Sequence, residues 1–102
     1  MIIKPVASLP ARSTLIAWAE FVEMTAASPD LLLEVIDLGW IEPLRTGGEE
    51  FLFSPADAWR IGRLARICRD FEVSPLAGSI IVDLLGRIED LERQVADLRR
   101  LL

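Results

Sequence analysis

The side chains best suited to chemistry are acidic, and they come in pairs without company: Glu49 with Glu50, Asp70 with Glu72, and Asp90 with Glu92. Two carboxylates can share general acid and base work, or hold a metal when imidazole or thiolate completes the set. Nothing completes it here. The 102-residue chain has no histidine and a single cysteine, Cys68, so the side chain that titrates nearest neutrality is missing and a disulfide framework is impossible. None of the pairs lies beside a recognisable nucleophile, and they read as solvated charge. No catalytic residue, metal site or cofactor is expected, and the chain is not expected to be an enzyme. Cys68 falls on the apolar face of a predicted helix, where a cysteine behaves as a small hydrophobe.

The one basic concentration is Arg60, Arg63, Arg66 and Arg69, whose spacing by three makes a stripe that winds around a helix. Together with Arg45 it could meet phosphates. The plainer reading is a solvated face that neutralises nearby acids. The overall balance favours the plainer one: 16 acidic side chains against 11 basic give a net charge of -5, so the mean field repels nucleic acid and anionic membranes. The opening "MIIKPVASLPARS" is interrupted by Lys4, Pro5 and Pro10 and offers no signal-peptide core. No stretch approaches the roughly 20 apolar residues of a membrane span. With one cysteine fitting a reducing compartment, a soluble cytoplasmic protein is expected.

Hydrophobic residues make up 52% of the chain, enough to build the core of one compact domain. Pro5 and Pro10 prevent a helix at the start, while Ile2, Ile3 and Val6 favour a short extended segment. Ser13 is a candidate cap for a first helix to about Thr25, with Leu15, Ile16, Trp18, Ala19 and Val22 facing inward. "SPD" at Ser28 opens a second helix with a capping hydroxyl, a proline where its missing N–H costs nothing, and an acid that the helix dipole favours. It should run to Leu38 and end at Gly39 in the left-handed conformation. In "EPLRTGGEEFLFSP", Gly47 and Gly48 permit a tight hairpin turn and Phe51, Leu52 and Phe53 supply the returning strand. No phosphate-cradling glycine loop is present, because no lysine follows at the required spacing.

A third helix starts with Ser54 as cap, Pro55 in its first turn and Asp57 as the acidic partner of a capping box. Ile61, Leu64, Cys68 and Phe71 should face the core, flanked by Trp59 and Ile67. Ser74 and Pro75 begin a fourth. In it Ile81, Leu84, Ile88, Leu91, Val95, Leu98 and Leu102 alternate spacings of three and four, a heptad seam with isoleucine or valine at a and leucine at d. The part from Ala77 to Leu85 is expected to pack on the domain, since Ile80 and Leu85 widen the apolar face there. From Arg87 onward the stripe is narrow with charged flanks, including Glu89 four residues before Arg93, and predicts a two-stranded coiled coil between copies, parallel or antiparallel.

These elements amount to a mostly α winged helix-turn-helix: four helices, a short β-hairpin wing and a long C-terminal coiled-coil helix. Residues 1–73 form the winged domain with its N-terminal extension, and residues 74–102 the dimerisation helix. In such a fold the second helix and wing are the surface that reaches a ligand. Yet "SPDLLLEVIDLGWIEP" contains no lysine, arginine or histidine. Asp30, Glu34, Asp37 and Glu42 would be repelled by a duplex whose phosphates are densely negative.

"LLLEVIDLGWIEP", a short hairpin, and "FLFSPADAWRIGRLARICRDFEVSPLAGSIIVDLLGRIEDLERQVADL" together resemble the CbpM family of chaperone modulators, distant relatives of the MerR DNA-binding regulators. The resemblance covers about residues 15 to 101, and "LGWIEP" and "CRDFEVSPLAGSIIVDLL" carry most of it. It implies that the chain binds the J-domain of a CbpA-like, DnaJ-related co-chaperone and restrains its stimulation of the DnaK-type chaperone. A J-domain presents a strongly basic second helix, and an acidic surface suits it. The expected contact residues are Asp30, Glu34 and Asp37, with Trp40 as apolar anchor. The alternative is a MerR-like transcription regulator that binds DNA through Arg45 and the arginine stripe, which the net charge and the acidic second helix oppose.

Overall fold

A computed structural model describes residues 14–48 and 50–102. The extended segment expected around Ile2, Ile3 and Val6, the Ser13 cap and Glu49 lie outside the described residues. The elements run β1 (Ile16–Ala17), α1 (Trp18–Thr25), α2 (Pro29–Asp37), β2 (Leu44–Arg45), β3 (Phe51–Phe53), α3 (Pro55–Phe71) and α4 (Pro75–Leu101). The three strands form one antiparallel sheet of order β1-β3-β2. Among the described residues no helix is long and apolar enough to cross a membrane.

The first helix is shorter than its sequence suggests. Ile16 and Ala17 pair with Phe53 and Leu52, so the chain enters α1 from a strand and Ala17, not Ser13, stands at the N-cap. Pairing across more than thirty residues overrides the local helical pattern. The inward face changes with it: Phe21 is fully buried and stacks on Phe53 with ring centroids 3.9 Å apart, while Ala19 is exposed. Trp18 joins this cluster at 5.9 Å from Phe51 and 6.1 Å from Phe53.

The turn between α1 and α2 is built from side chain and backbone together. Ala26 adopts φ 58°, the Thr25 hydroxyl donates to the Phe21 carbonyl at 2.8 Å, and the Ala27 N–H donates back to that hydroxyl. Ser28 then caps α2 by accepting the Leu31 N–H at 3.1 Å. Leu32 and Val35 point into the core, which they share with Ile41, Phe53, Ile61 and Leu64. The β2–β3 hairpin turns on Thr46, whose hydroxyl accepts the N–H groups of Gly48 and Glu50. Gly48 does not take the left-handed conformation that the turn was expected to use.

α3 begins with the expected capping box: the Ser54 hydroxyl accepts the Asp57 N–H at 3.0 Å and the Asp57 carboxylate accepts the Ser54 N–H at 3.1 Å. Ile61 and Leu64 are fully buried, but Phe71 is 70% exposed. The last turn of α3, Asp70 and Phe71 with the left-handed Glu72 that ends it, is exposed throughout. Trp59, expected at the core margin, is exposed as well.

α4 extends for 27 residues, about 40 Å at 1.5 Å per residue. Its first turns pack on the body, and Glu89 adds an ion pair to Arg63 farther along. Gly78, Ser79 and Val82 are buried, with Leu85 half-buried beside them, whereas Ile80 is 52% exposed. At 100° per residue Ile80 lies nearly opposite Val82, so it cannot widen the packed face as its sequence context suggested. Every residue from Arg87 to Leu102 is exposed. The radius of gyration of 16.3 Å exceeds the roughly 13 Å of a compact chain this long, as a projecting helix requires.

α3 and α4 cross closely at Gly78, where an added Cβ would lie 2.7 Å from Cys68 Sγ and 2.8 Å from Leu64 Cδ1. Gly78→Ala is therefore expected to lower stability by about 1–3 kcal/mol through overpacking. Gly86, on the same helix, has nothing within 4 Å of such a Cβ. Gly86→Ala should raise stability by about 0.5–1 kcal/mol through helix propensity. Chemical denaturation of the two variants measures both signs.

Candidate partner-binding surface on the second helix

The spacing of Asp30, Glu34 and Asp37 by four and three puts their carboxylates on one face of α2, and Leu32 and Val35 fix that face outward by occupying the core. All three acids are exposed, and none is drawn into an ion pair among the described residues. Glu34 also reaches the field of α3. The half-buried Cys68 thiol is pushed above its ordinary pKa, first by loss of solvent and then by the negative charge of Glu34. A thiol so placed is less reactive than a free one, which fits packing rather than chemistry.

α2 ends in a Schellman arrangement that directs the chain toward the hairpin. Gly39, at φ 77°, donates its N–H to the Ile36 carbonyl, and the Trp40 N–H reaches back to the Val35 carbonyl, both at 3.0 Å. The turn leaves a groove of about 510 Å³ between the outer side of α2 and the hairpin. Its apolar lining comes from Leu33 and Ile36 on α2, Ile41 and Pro43 beyond the turn, and Phe51 on β3. Asp37 and Glu42 stand at the rim, with Arg45 on the hairpin side, its guanidinium 4.8 Å over the Phe51 ring. Sequence reading found the acids but missed the groove, since Leu33 and Phe51 come together only through the fold.

Trp40 is half-buried and heavily engaged. Its indole N–H donates to both carboxylate oxygens of Asp83 on α4, at 3.0 and 3.1 Å. The Arg60 guanidinium of α3 lies 4.0 Å over the ring, donates to the Trp40 carbonyl at 3.0 Å and pairs with Asp83 at 3.3 Å. Asp83, 43 residues from Trp40, gave no local signal of this role.

The arginine stripe is largely committed. Arg63 lies 4.6 Å over the Trp59 ring and pairs with Glu89 of α4 at 3.2 Å, so Glu89 does not serve Arg93, which instead pairs with Asp90. Arg69 pairs with its neighbour Asp70 at 3.4 Å. Arg66 is exposed and without an ion pair among the described residues. No group of three or more cysteine and carboxylate side chains converges where a metal ion could sit, again among the described residues.

The four helices, the tight α1–α2 turn and the hairpin behind it agree with a family comparison. A family model described as a MerR helix-turn-helix family regulatory protein matches residues 16–100. The chain belongs to the MerR helix-turn-helix family. No curated protein matches it. As a MerR-family domain, the chain presents carboxylates on the second helix of its helix-turn-helix and keeps Arg60 and Arg63 paired to its own fourth helix.

The Trp40 junction can be divided experimentally. Trp40→Phe keeps a ring under Arg60 but removes the donor to Asp83, and should cost about 1 kcal/mol. Trp40→Ala removes both and should cost about 2–3 kcal/mol. Equal losses in urea denaturation would mean that the ring under Arg60 contributes nothing beyond the donor to Asp83, and an unchanged Trp40→Phe variant that the hydrogen bond contributes nothing.

Proposed function

We propose that the chain is a chaperone modulator of the CbpM type, which binds the J-domain of a CbpA-like co-chaperone through α2 and inhibits its stimulation of the DnaK-type chaperone. The observation that carries this reading is the outward row of Asp30, Glu34 and Asp37, solvated and without an ion pair among the described residues. Three carboxylates on one helical face attract a basic helix and repel a phosphate backbone. Trp40 contributes the apolar edge of that face while its N–H stays on Asp83.

The inhibition follows by competition. A J-domain helix covered by this surface is unavailable to the acidic surface of the chaperone, because both would neutralise the same basic side chains. Electrostatic attraction raises the rate of encounter and makes it salt-dependent.

The reading includes a homodimer formed through α4. Leu84, Ile88, Leu91, Val95 and Leu98 form an exposed apolar row on the side of α4 opposite the buried Val82. Such a stripe in water favours burial against a second copy, and β-branched a positions with leucine at d suit two strands. The protein is expected in the cytoplasm, where J-domain co-chaperones of this type act.

A second reading, a DNA-binding transcription regulator, is favoured by membership of the MerR family and by the exposed Arg45 and Arg66. Fluorescence anisotropy with mixed duplex DNA separates the two: the chaperone reading expects only weak binding at moderate salt, and strong salt-sensitive binding would favour the regulator. Titration of the isolated J-domain by calorimetry should give binding that falls at least tenfold when Glu34→Lys and Asp37→Lys are combined, with the circular dichroism spectrum unchanged. Undiminished affinity would place the contact elsewhere. Leu91→Glu should convert a dimer to a monomer in sedimentation equilibrium, and a wild-type monomer would remove the dimer from the reading.

A further inference from the structure

The groove between α2 and the hairpin has core residue Ile41 in its lining, yet it exposes apolar surface, Leu33 above all, beside the acidic row. We infer that this groove takes the apolar ridge of a cationic amphipathic helix from the partner, with the acids of α2 engaging its basic flank. The inference rests on the J-domain reading and deepens it, because it moves the centre of binding from charge alone to an apolar slot with a charged margin.

Shape argues for a helix over a strand. The sheet edge beside the groove is β2, only two residues long, and Pro43 stands immediately before it without an N–H to offer. An added strand would find too few backbone partners there. The groove instead presents Leu33, Ile36 and Phe51 to side chains, which suits anchors spaced by three and four along a partner helix. Its volume of about 510 Å³ falls within the range of pockets that bury several apolar groups.

Charge sets both the kind of helix and its direction. Asp37 belongs at once to the groove rim and to the row with Asp30 and Glu34, and Glu42 adds a carboxylate at the same rim. A helix seated here therefore meets negative potential along α2. Arg45, held over Phe51 on the hairpin side, faces the other flank and disfavours a lysine or arginine in that position. A helix basic on one flank and neutral or acidic on the other fits this arrangement in one orientation only.

Leu33 is 50% exposed and Glu42 is exposed, so both can be changed without opening the core. Leu33→Gln and Glu42→Lys should each lower affinity for the isolated J-domain at least tenfold, with circular dichroism melts near wild type. Leu76→Gln, an exposed position at the start of α4, should leave it unchanged. Titration of unlabelled J-domain into the ¹⁵N-labelled wild-type protein supplies a readout without substitutions: the amides of Leu33, Gly39 and Phe51 should shift most.

If the wild type binds while both groove variants bind equally well and those amides stay still, the groove assignment fails and the J-domain reading survives. If the wild-type protein does not bind the J-domain, both fall together. A third result, in which the groove variants weaken self-association instead, would assign the groove to a second copy of the chain and overturn the inference.

Discussion

One guanidinium ties the exit of α2 to α3 and α4. Arg60 stacks over the Trp40 indole, donates to the Trp40 backbone carbonyl and pairs with Asp83, whose carboxylate also takes the indole N–H. Three elements meet there: the chain leaving α2, the body of α3 and the first turns of α4. Each partner satisfies another, so the cluster is a closed network and not a single exposed ion pair. It fixes the exit of Trp40 from the Schellman turn, and that exit fixes where the hairpin stands relative to α2.

The same network decides what remains for a partner. Arg60 and Arg63 are drawn onto α4 by Asp83 and Glu89, and their positive charge is spent inside the molecule. The carboxylates of α2 receive no such compensation from the described residues, so local potential follows them. The net charge of -5 is thereby concentrated where a helix-turn-helix would meet its ligand. A MerR-family scaffold can keep its packing under this change because Asp30, Glu34 and Asp37 are solvated and stand on the face of α2 away from Leu32 and Val35.

Features written in adjacent residues were legible in the sequence: the Ser28, Ser54 and Ser74 caps, the Ser54–Asp57 box, the Gly39 stop and the strand character of Phe51 to Phe53. What escaped was written across distance. Ile16 and Ala17 read as helix until paired with Phe53 and Leu52, and Phe21 reads as one apolar residue among several until it stacks on Phe53. The acids of the candidate surface were visible from spacing alone, whereas the groove beside them needs Leu33 and Phe51 brought together by the hairpin. Asp83 is one more exposed carboxylate until Trp40 arrives from 43 residues away.

α4 carries two apolar patterns on opposite sides, and their separation has a mechanical consequence. Gly78, Ser79 and Val82 press one side against α3, closely enough at Gly78 that a methyl group would collide with Cys68 and Leu64. Leu84, Ile88 and Leu91 point the other way. A close, side-chain-poor crossing resists rotation of the helix about its axis, since any turn would drive larger residues into the gap. The outward azimuth of the heptad row is therefore set by the inward packing. Asp83, flanking the two faces, adds the link to Trp40. The packing that fixes the outward row thus also holds Asp83 in reach of the Trp40 indole and Arg60.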